Sequence, residues 1–196
     1  AENVQDVPIA ISAFSSSTLR ERAVNDVSAL SAIAPNVNLD GGTPFSGSSA
    51  VLSATIRGIG SDDFAFNIDP GVGIYLDGVF LARTVGANQD LPDVERIEVL
   101  KGPQGTLFGR NTIAGAIQYV TKAPSNDFEG YIGGTFGEYG RKDVNGALNI
   151  PIGDTLAIRF AGAYDTVDGY VRDEFNGIDR GAVDTKIGRV RLKWEP

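Results

Sequence analysis

Cysteine and histidine are both absent from the 196 residues of this chain. Without cysteine, neither a disulfide framework nor a thiolate metal site can form. Without histidine, the chain lacks the commonest metal ligand and general base, which argues against a zinc enzyme or a histidine-dependent hydrolase. We therefore expect no catalytic residue, no metal ligand and no cofactor, and we expect that the protein is not an enzyme.

Long apolar runs and an excess of positive charge are also missing. No apolar run reaches the roughly 18 residues typical of a transmembrane helix, whereas a transmembrane β-strand needs only about 10 alternating residues. The net charge is −8, from 17 basic and 25 acidic residues. Because neutralising phosphates requires lysine and arginine, nucleic acid is not an expected partner. Ala1 follows no basic and apolar leader, so we expect that any signal peptide has been removed.

Turn-forming residues are abundant, with 25 glycines and 9 prolines, and they predict a β-rich chain. Residues 1–122 have the pattern of a mixed α+β unit. Val7–Phe14 predicts an edge strand, because its proline cannot donate to a strand ladder. Thr18–Glu21 matches a capping box and predicts a short helix, and a second helix is predicted from Asn25 or Asp26 to Pro35.

Strands and loops alternate in the rest of this unit. The predicted strands are Val51–Arg57 and Gly73–Leu81, and the predicted loops are Gly41–Ser49, Gly58–Asp69 and Ala82–Asp90. The segment Val94–Lys122 then contains two apolar strands joined by a sharp turn. Three glycines and a proline within the eight residues Gly102–Gly109 force the backbone through conformations that other residues resist. Lys101–Gly102 has the reverse order of a phosphate-binding Gly-Lys pair, so this turn is not a phosphate loop.

Residues 127–196 change to long strands in which apolar and polar residues alternate, as in Leu156 to Tyr164. The alternation fits an antiparallel sheet with one face on a soluble core, which the pattern alone favours, and it also fits a membrane barrel with its apolar face in lipid. The turn Pro151–Asp154 is tight, whereas Asp165–Asp184 is long. Short turns at one end and long loops at the other are typical of outer-membrane barrels.

Four stretches of the chain resemble TonB-dependent outer-membrane receptors, in the order in which that family has them. These are Asp6–Ile11, Ile56–Gly58, Val72–Val79 and, most specifically, Val94–Lys122. The resemblance implies an α+β plug domain over residues 1–122. It further implies that residues 123–196 form the first four strands of an incomplete, antiparallel transmembrane β-barrel of about 22 strands.

The function that this resemblance implies is active uptake of a scarce ligand across the outer membrane of a Gram-negative bacterium. The ligand would be a siderophore–iron complex, cobalamin or an oligosaccharide, and it would bind plug loops that face the extracellular mouth. The expected partners are outer-membrane lipid and TonB, which would act through a box that Ala1–Gln5 does not resemble. Binding would shift the conformational populations of the plug.

The resemblance also suggests two sets of site residues. Arg57, Glu98 and Arg110 are the candidates for a plug–barrel lock, because charged plug residues in the family pair with the inner barrel wall. A solvated charged face is the alternative. The ligand-binding candidates in the three plug loops are Phe45, Asp62, Asp63, Phe64, Phe66, Asn67, Arg83, Asn88 and Gln89. Packing of the loop phenylalanines into the plug core is an equally good interpretation.

Other functions remain open at this point. The main alternative is a soluble β-rich binding module with a plug-like fold and no transport activity. A glycosidase is a more distant alternative, in which Asp62, Asp63 and Asp69 would supply the carboxylates. The acidic residues of Asp165–Asp184 are more typical of a solvated loop than of a calcium site, because they lack the EF-hand spacing.

Overall fold

The computed structural model of the chain describes residues 10–22, 24, 26–41, 51–61, 65, 68–83, 87–88, 92–177 and 179–196. The chain divides into two compact units, Ala1–Thr121 and Lys122–Pro196. Strands make up most of the regular structure in both. Among the described residues, no helix is long and apolar enough to cross a membrane.

The described part of the first unit contains two sheets. Its strands are β1 (Ala10–Ser15), β2 (Val37–Asp40), β3 (Ser53–Ile56), β4 (Ile59–Ser61), β5 (Val72–Leu76), β6 (Val79–Phe80), β7 (Val94–Lys101) and β8 (Gly115–Thr121). One sheet has the order β1-β7-β8-β5-β6, and the other has the order β2-β3-β4. Only the pairing of β5 with β8 is parallel. The predicted strand Val7–Phe14 corresponds to β1, which lies at the edge of its sheet as its proline implied.

Apolar side chains from both sheets build the core of the first unit. Leu30, Leu52, Ile56, Val99 and Ile117 are fully buried in it. The strands β7 and β8 contribute to it because Val94–Lys122, which we call the signature segment, alternates apolar residues along each strand. The core therefore fixes the two strands from which the sharp turn of the signature segment extends.

Both predicted helices differ from the helices that form. The first, α1, spans Ser16–Glu21, and its N-cap is Ser15, whose hydroxyl accepts a hydrogen bond from the Thr18 amide at 3.3 Å. The predicted cap, Thr18, thus lies inside the helix, because Ser15 keeps the extended backbone of β1 and is the first residue able to cap. The second is only a 3₁₀ helix over Ser28–Ala32, where Asp26 accepts a hydrogen bond from the Ala29 amide at 2.9 Å.

Two predicted strand and loop boundaries are also wrong, and tight hairpins explain both. Ile56 and Ile59 are partners across Arg57–Gly58, so β4 lies in what was predicted as a loop. The predicted strand Gly73–Leu81 is likewise divided into β5 and β6 by Asp77–Gly78. Both turns have positive φ at both central residues, as in the two-residue turns that match the strand twist.

The second unit is built around one antiparallel sheet of four long strands. Its strands are β9 (Glu129–Phe136), β10 (Lys142–Ile152), β11 (Leu156–Val167), β12 (Val171–Arg172), β13 (Asp179–Arg180) and β14 (Val183–Trp194). The sheet has the order β14-β11-β10-β9, and β12 pairs with β13 in a separate small hairpin. The predicted long loop Asp165–Asp184 is therefore shorter, because β11 and β14 extend into it and the hairpin occupies its middle.

The two faces of this four-stranded sheet have the opposite polarity to those of a soluble sheet. Large apolar side chains are exposed on one face, among them Ile132, Phe136, Leu148, Phe160, Val190, Leu192 and Trp194. The other face carries Asn149 and Arg159, which are 0% and 2% exposed. Buried charged residues beside an exposed apolar face are unusual in a sheet whose surroundings are water.

Candidate functional site

The sharp turn of the signature segment is closed by hydrogen bonds that extend the β7–β8 hairpin. The Gly102 amide donates to the Ala114 carbonyl at 2.9 Å, and the Gln104 amide donates to the Thr112 carbonyl at 3.0 Å. A short helix, α2 (Gly105–Phe108), follows within the turn. The Thr112 hydroxyl then donates to the Gly109 carbonyl at 2.8 Å. The glycine-rich turn is thus an ordered structure.

An aromatic cluster anchors α2 to the strand β5. The Tyr75 ring lies 5.3 Å from the Phe80 ring and 4.9 Å from the Phe108 ring, between centroids. The Tyr75 hydroxyl donates to the Phe108 carbonyl at 2.6 Å. Burial raises the pKa of Tyr75, so the hydroxyl keeps the proton that it donates. The cluster therefore ties the sharp turn of the signature segment to β5, which lies in the stretch Val72–Val79.

Two cations lie close together at the base of this turn. Arg57 occupies the β3–β4 turn with a φ of 55°, and its amide donates to the Asn36 carbonyl at 2.8 Å. Its Nη1 atom would lie 3.8 Å from a Cβ placed on Gly102. The pKa of Lys101 is lowered, first by burial and then by the charge of Arg57. Two like charges in a partly desolvated position favour the approach of an anion.

Lys101 was not among the predicted lock residues, although it stands beside the predicted residue Arg57. The signal that could have found it is its position as the last residue of β7, at the sharp turn. The other two predicted lock residues have different surroundings. Glu98 accepts from Nε of Arg96 at 2.6 Å, and Arg96 also pairs with Glu95 at 2.9 Å. Arg110 is exposed, and in the described part of the chain no ion pair joins it to Glu98.

The predicted ligand loops lie largely beyond the residues that the structure describes. Arg83 is described and exposed, and Asn88 is described and half-buried. The side chain of Asn88 lies so close to Gly41 that a Cβ there would collide with its Nδ2 atom. Its neighbour Ala87 is 3% exposed and belongs to the core. The structure thus brings the third predicted loop against the start of the first. The predicted residues outside the described part are Phe45, Asp62, Asp63, Phe64, Phe66, Asn67 and Gln89.

A further polar contact, which the sequence did not reveal, fixes the end of β8. Asp77 of the β5–β6 turn accepts two hydrogen bonds from Thr121, one from its amide at 2.8 Å and one from its hydroxyl at 2.6 Å. The Asp77 amide also donates to the Tyr119 carbonyl at 2.8 Å. The signal was present in the Asp-Gly pair, which is typical of a hairpin turn.

No group of three acidic residues that could hold a metal ion occurs among the described residues. The described site offers cations at Arg57 and Lys101 and backbone amides in ordered turns. Its residues can bind and hold anionic or polar groups.

Comparisons with known proteins agree on one family. A family model described as TonB-dependent Receptor Plug Domain matches residues 3–116. The pesticin receptor of Yersinia pestis is 31% identical over 182 residues, which cover 91% of this chain and 26% of that receptor. The catecholate siderophore receptor Fiu of Escherichia coli K12 is 38% identical over 96 residues, 46% of this chain and 12% of that protein.

A solved structure is similar over almost the whole chain. The ferric yersiniabactin uptake receptor FyuA from Yersinia pestis matches with a TM-score of 0.86 and 29% identity, over 96% of this chain and 29% of that one. The chain therefore spans less than a third of the length of these relatives.

Proposed function

The chain belongs to the TonB-dependent receptors that carry a plug domain, and from this premise we propose that it is part of a receptor for active ligand uptake across the outer membrane. In this proposal residues 1–122 are the plug. Residues 123–196 are the first four strands of a barrel of about 22 strands. The proposed location is the outer membrane of a Gram-negative bacterium.

The observation that carries this proposal is the polarity of the four-stranded sheet in the second unit. Its exposed face is apolar over its whole width, from Ile132 in β9 to Leu192 in β14. Its other face buries Arg159, which pairs with Glu129 at 2.9 Å. An apolar outer face with a polar inner face is the arrangement that a barrel in lipid requires. A soluble binding module would place the apolar face inside.

The proposed ligand is a siderophore–iron complex, since relatives are named as receptors for a catecholate siderophore and for ferric yersiniabactin. Cobalamin and oligosaccharides are the other candidates. The ligand would bind the three plug loops, and the side chains proposed for this are Phe45, Asp62, Asp63, Phe64, Phe66, Asn67, Arg83, Asn88 and Gln89. No covalent chemistry is part of this function.

The proposed lock between plug and barrel rests on two neighbouring cations, Arg57 and Lys101. Arg57 and Lys101 lie on neighbouring turns, and the pKa of Lys101 is lowered first by burial and then by the charge of Arg57. We expect that carboxylates of barrel strands outside this chain supply the compensating charge. Glu98 and Arg110 remain the further candidates for such pairs. Energy from the inner-membrane partner TonB would then release the plug.

Uptake by cells that express the full receptor tests the function. We expect accumulation of a ⁵⁵Fe-labelled siderophore that stops when TonB is absent or when the proton gradient is collapsed. Phe64→Ala with Phe66→Ala should reduce uptake, whereas Phe128→Ala, an exposed phenylalanine outside the loops, should not. Uptake that continues without TonB contradicts the proposal.

Detergent dependence tests the barrel separately from transport. The 196-residue chain should aggregate without detergent, because the apolar face and the edge strands β9 and β14 would be open. If the chain instead remains folded and monomeric in buffer alone, the soluble binding module becomes the better interpretation.

A further inference from the structure

Three exposed aromatic side chains lie in the connections at one end of the four-stranded sheet, and we call them the aromatic patch. Tyr139, Tyr170 and Phe175 are 62%, 66% and 95% exposed. Tyr139 belongs to the β9–β10 turn, and the other two belong to the connection between β11 and β14. Both connections lie at the same end because the four strands are antiparallel neighbours. A phenylalanine that is almost fully exposed on an ordered turn often marks a contact surface.

The turn that carries Phe175 is held in shape by Asp173. Its carboxylate accepts from the Phe175 amide at 3.0 Å and the Asn176 amide at 3.3 Å, and it pairs with Nη2 of Arg180 at 2.8 Å. The Asp173 carbonyl also accepts from the Gly177 amide at 2.8 Å. A preformed turn loses less conformational entropy when a partner binds it, so Phe175 is already in position for a contact.

The β9–β10 turn and the β11–β14 connection contact each other. The Tyr139 and Tyr170 rings meet edge to face, with centroids 6.3 Å apart and planes at 64°. The Asp168 amide donates to the Tyr139 carbonyl at 2.8 Å. The Asp168 carboxylate lies directly against Gly140, so a side chain at that position would displace it. These contacts join the two connections at Tyr139 and Tyr170, and Phe175 lies on the same β11–β14 connection as Tyr170.

Acidic residues surround the aromatic patch. Glu138, Asp168 and Glu174 are exposed and lie next in sequence to, or two residues from, a ring of the patch. Three nearby bases have acidic neighbours, because Arg180 pairs with Asp173, Arg141 pairs with Asp143 and Arg172 is the strand partner of Asp179. Lys142 is a further exposed base at the start of β10. The surface thus combines aromatic faces with negative charge, which disfavours phosphate-rich lipid and nucleic acid.

We propose that the aromatic patch binds a basic segment of a protein partner. Lysine or arginine side chains of that segment would lie over the aromatic rings, between the three carboxylates. A cation over an aromatic face is attracted by the ring, and the carboxylates add charge complementarity. Aromatic residues are also enriched at the centres of protein interfaces. This inference is independent of the ligand that the receptor transports.

Binding of a fluorescently labelled decalysine peptide to the 196-residue chain in neutral detergent micelles tests the proposal. We expect saturable binding that Phe175→Ala weakens by about three- to tenfold, which corresponds to one lost cation–aromatic contact. Phe128→Ala is the matched control, because Phe128 is 73% exposed but lies outside the patch. Glu138→Gln with Glu174→Gln should weaken binding at least as much.

Two results would overturn the proposal. One is equal affinity of wild-type chain and Phe175→Ala for decalysine, which would leave only unspecific charge attraction. The other is equal affinity for a decaglutamate peptide. Hydrogen exchange of the Gly177 amide, which reports on the Asp173 turn, establishes that the turn remains folded in each variant.

Discussion

At the scale of single residues, Asp77 joins two strands that are far apart in the sequence. Its carboxylate receives both polar hydrogens of Thr121, which is 1% exposed. Removal of a charged acceptor leaves buried donors without a partner, which is more costly than the loss of an exposed hydrogen bond. One side chain thus determines where β8 ends.

We expect that Asp77→Ala lowers the free energy of unfolding by about 2 kcal/mol, because Thr121 loses both acceptors. Asp77→Asn is the control, since it keeps one acceptor oxygen and tolerates the φ of 49°. It should cost about 1 kcal/mol. Urea denaturation of the chain in micelles measures both values. Equal stability of Asp77→Ala and wild-type would show that the contact does not hold β8.

The turn around Asp173 should depend on pH. Its pKa is lowered, first by the hydrogen bond from Arg180 and then by backbone amides. A lowered folded-state pKa stabilises the turn above the ordinary aspartate value of about 3.9. This contribution is lost as the pH falls through the lower folded-state value. We expect that the protection of the Asn176 and Gly177 amides against exchange, relative to an unstructured peptide at the same pH, falls in that window.

Two variants test this pH dependence of the Asp173 turn. In Asp173→Asn, the Asn176 and Gly177 amides should be weakly protected at every pH, and their protection should show no transition in this window. Asp154→Asn, in the opposite turn of the sheet, should keep the wild-type profile. A transition that persists in Asp173→Asn would assign it to another group.

At the scale of elements, the signature turn contains glycines with different requirements. Gly115 has a φ of 154°, and a Cβ there would collide with the Leu100 carbonyl and crowd the Ile56 side chain. Gly105, the first residue of α2, has open space around it and ordinary backbone geometry. The motif thus needs glycine at Gly115 for close backbone packing, while Gly105 is replaceable.

We expect that Gly115→Ala destabilises the chain by about 2–4 kcal/mol, because the backbone of β7 would have to move. Gly105→Ala is the matched control in the same motif and should be neutral or stabilising by about 0.5 kcal/mol. Thermal unfolding in micelles compares the two variants. If Gly115→Ala is as stable as wild-type, β7 and β8 pack less closely at Gly115 than the described distances indicate.

Sequence patterns predicted the long elements of this chain better than its short ones. Alternation over many residues identified β7, β8 and the four long strands, because burial of one face is repeated along them. Asp77–Gly78 was predicted as part of a strand, and Arg57–Gly58 was divided between a predicted strand and a predicted loop, although each pair is a hairpin turn. The second helix was predicted too long, because apolar spacing cannot distinguish one 3₁₀ turn from an α-helix.

At the scale of the whole molecule, the polarity of the second unit determines the environment that it needs. We expect that Val190→Arg, on the exposed apolar face of β14, lowers stability in lipid vesicles by about 2–4 kcal/mol. Thr185→Arg lies on the opposite face of the same strand and should change stability by less than about 1 kcal/mol. Folding titrations in vesicles measure this difference. Equal effects of the two substitutions would contradict a lipid-facing role for the apolar face.

The family was predictable from the sequence, and the match over residues 3–116 confirms it. Glycine-rich turns and strand ends recur in a fixed order because the plug fold needs them. Four short stretches were therefore sufficient to identify the family. The candidate site was predictable only in part. Arg57 could be found from its motif. The position of Lys101 at the sharp turn is visible in the sequence, but its proximity to Arg57 depends on how two separate turns fold together. Ligand specificity depends on loop side chains, which follow no periodic pattern.

The strand order of the first unit has a mechanical consequence. Because β1 and β8 are both antiparallel to β7, they point in the same direction, and Ala10 and Thr121 lie at opposite ends of the sheet. A pull on the chain before Ala10, against an anchor after Thr121, would load the sheet in shear. All six residue pairs between β1 and β7 would then share the force at once, whereas peeling would break them one by one. Under such a load, β1 would therefore transmit the force to the rest of the sheet until all six pairs break together.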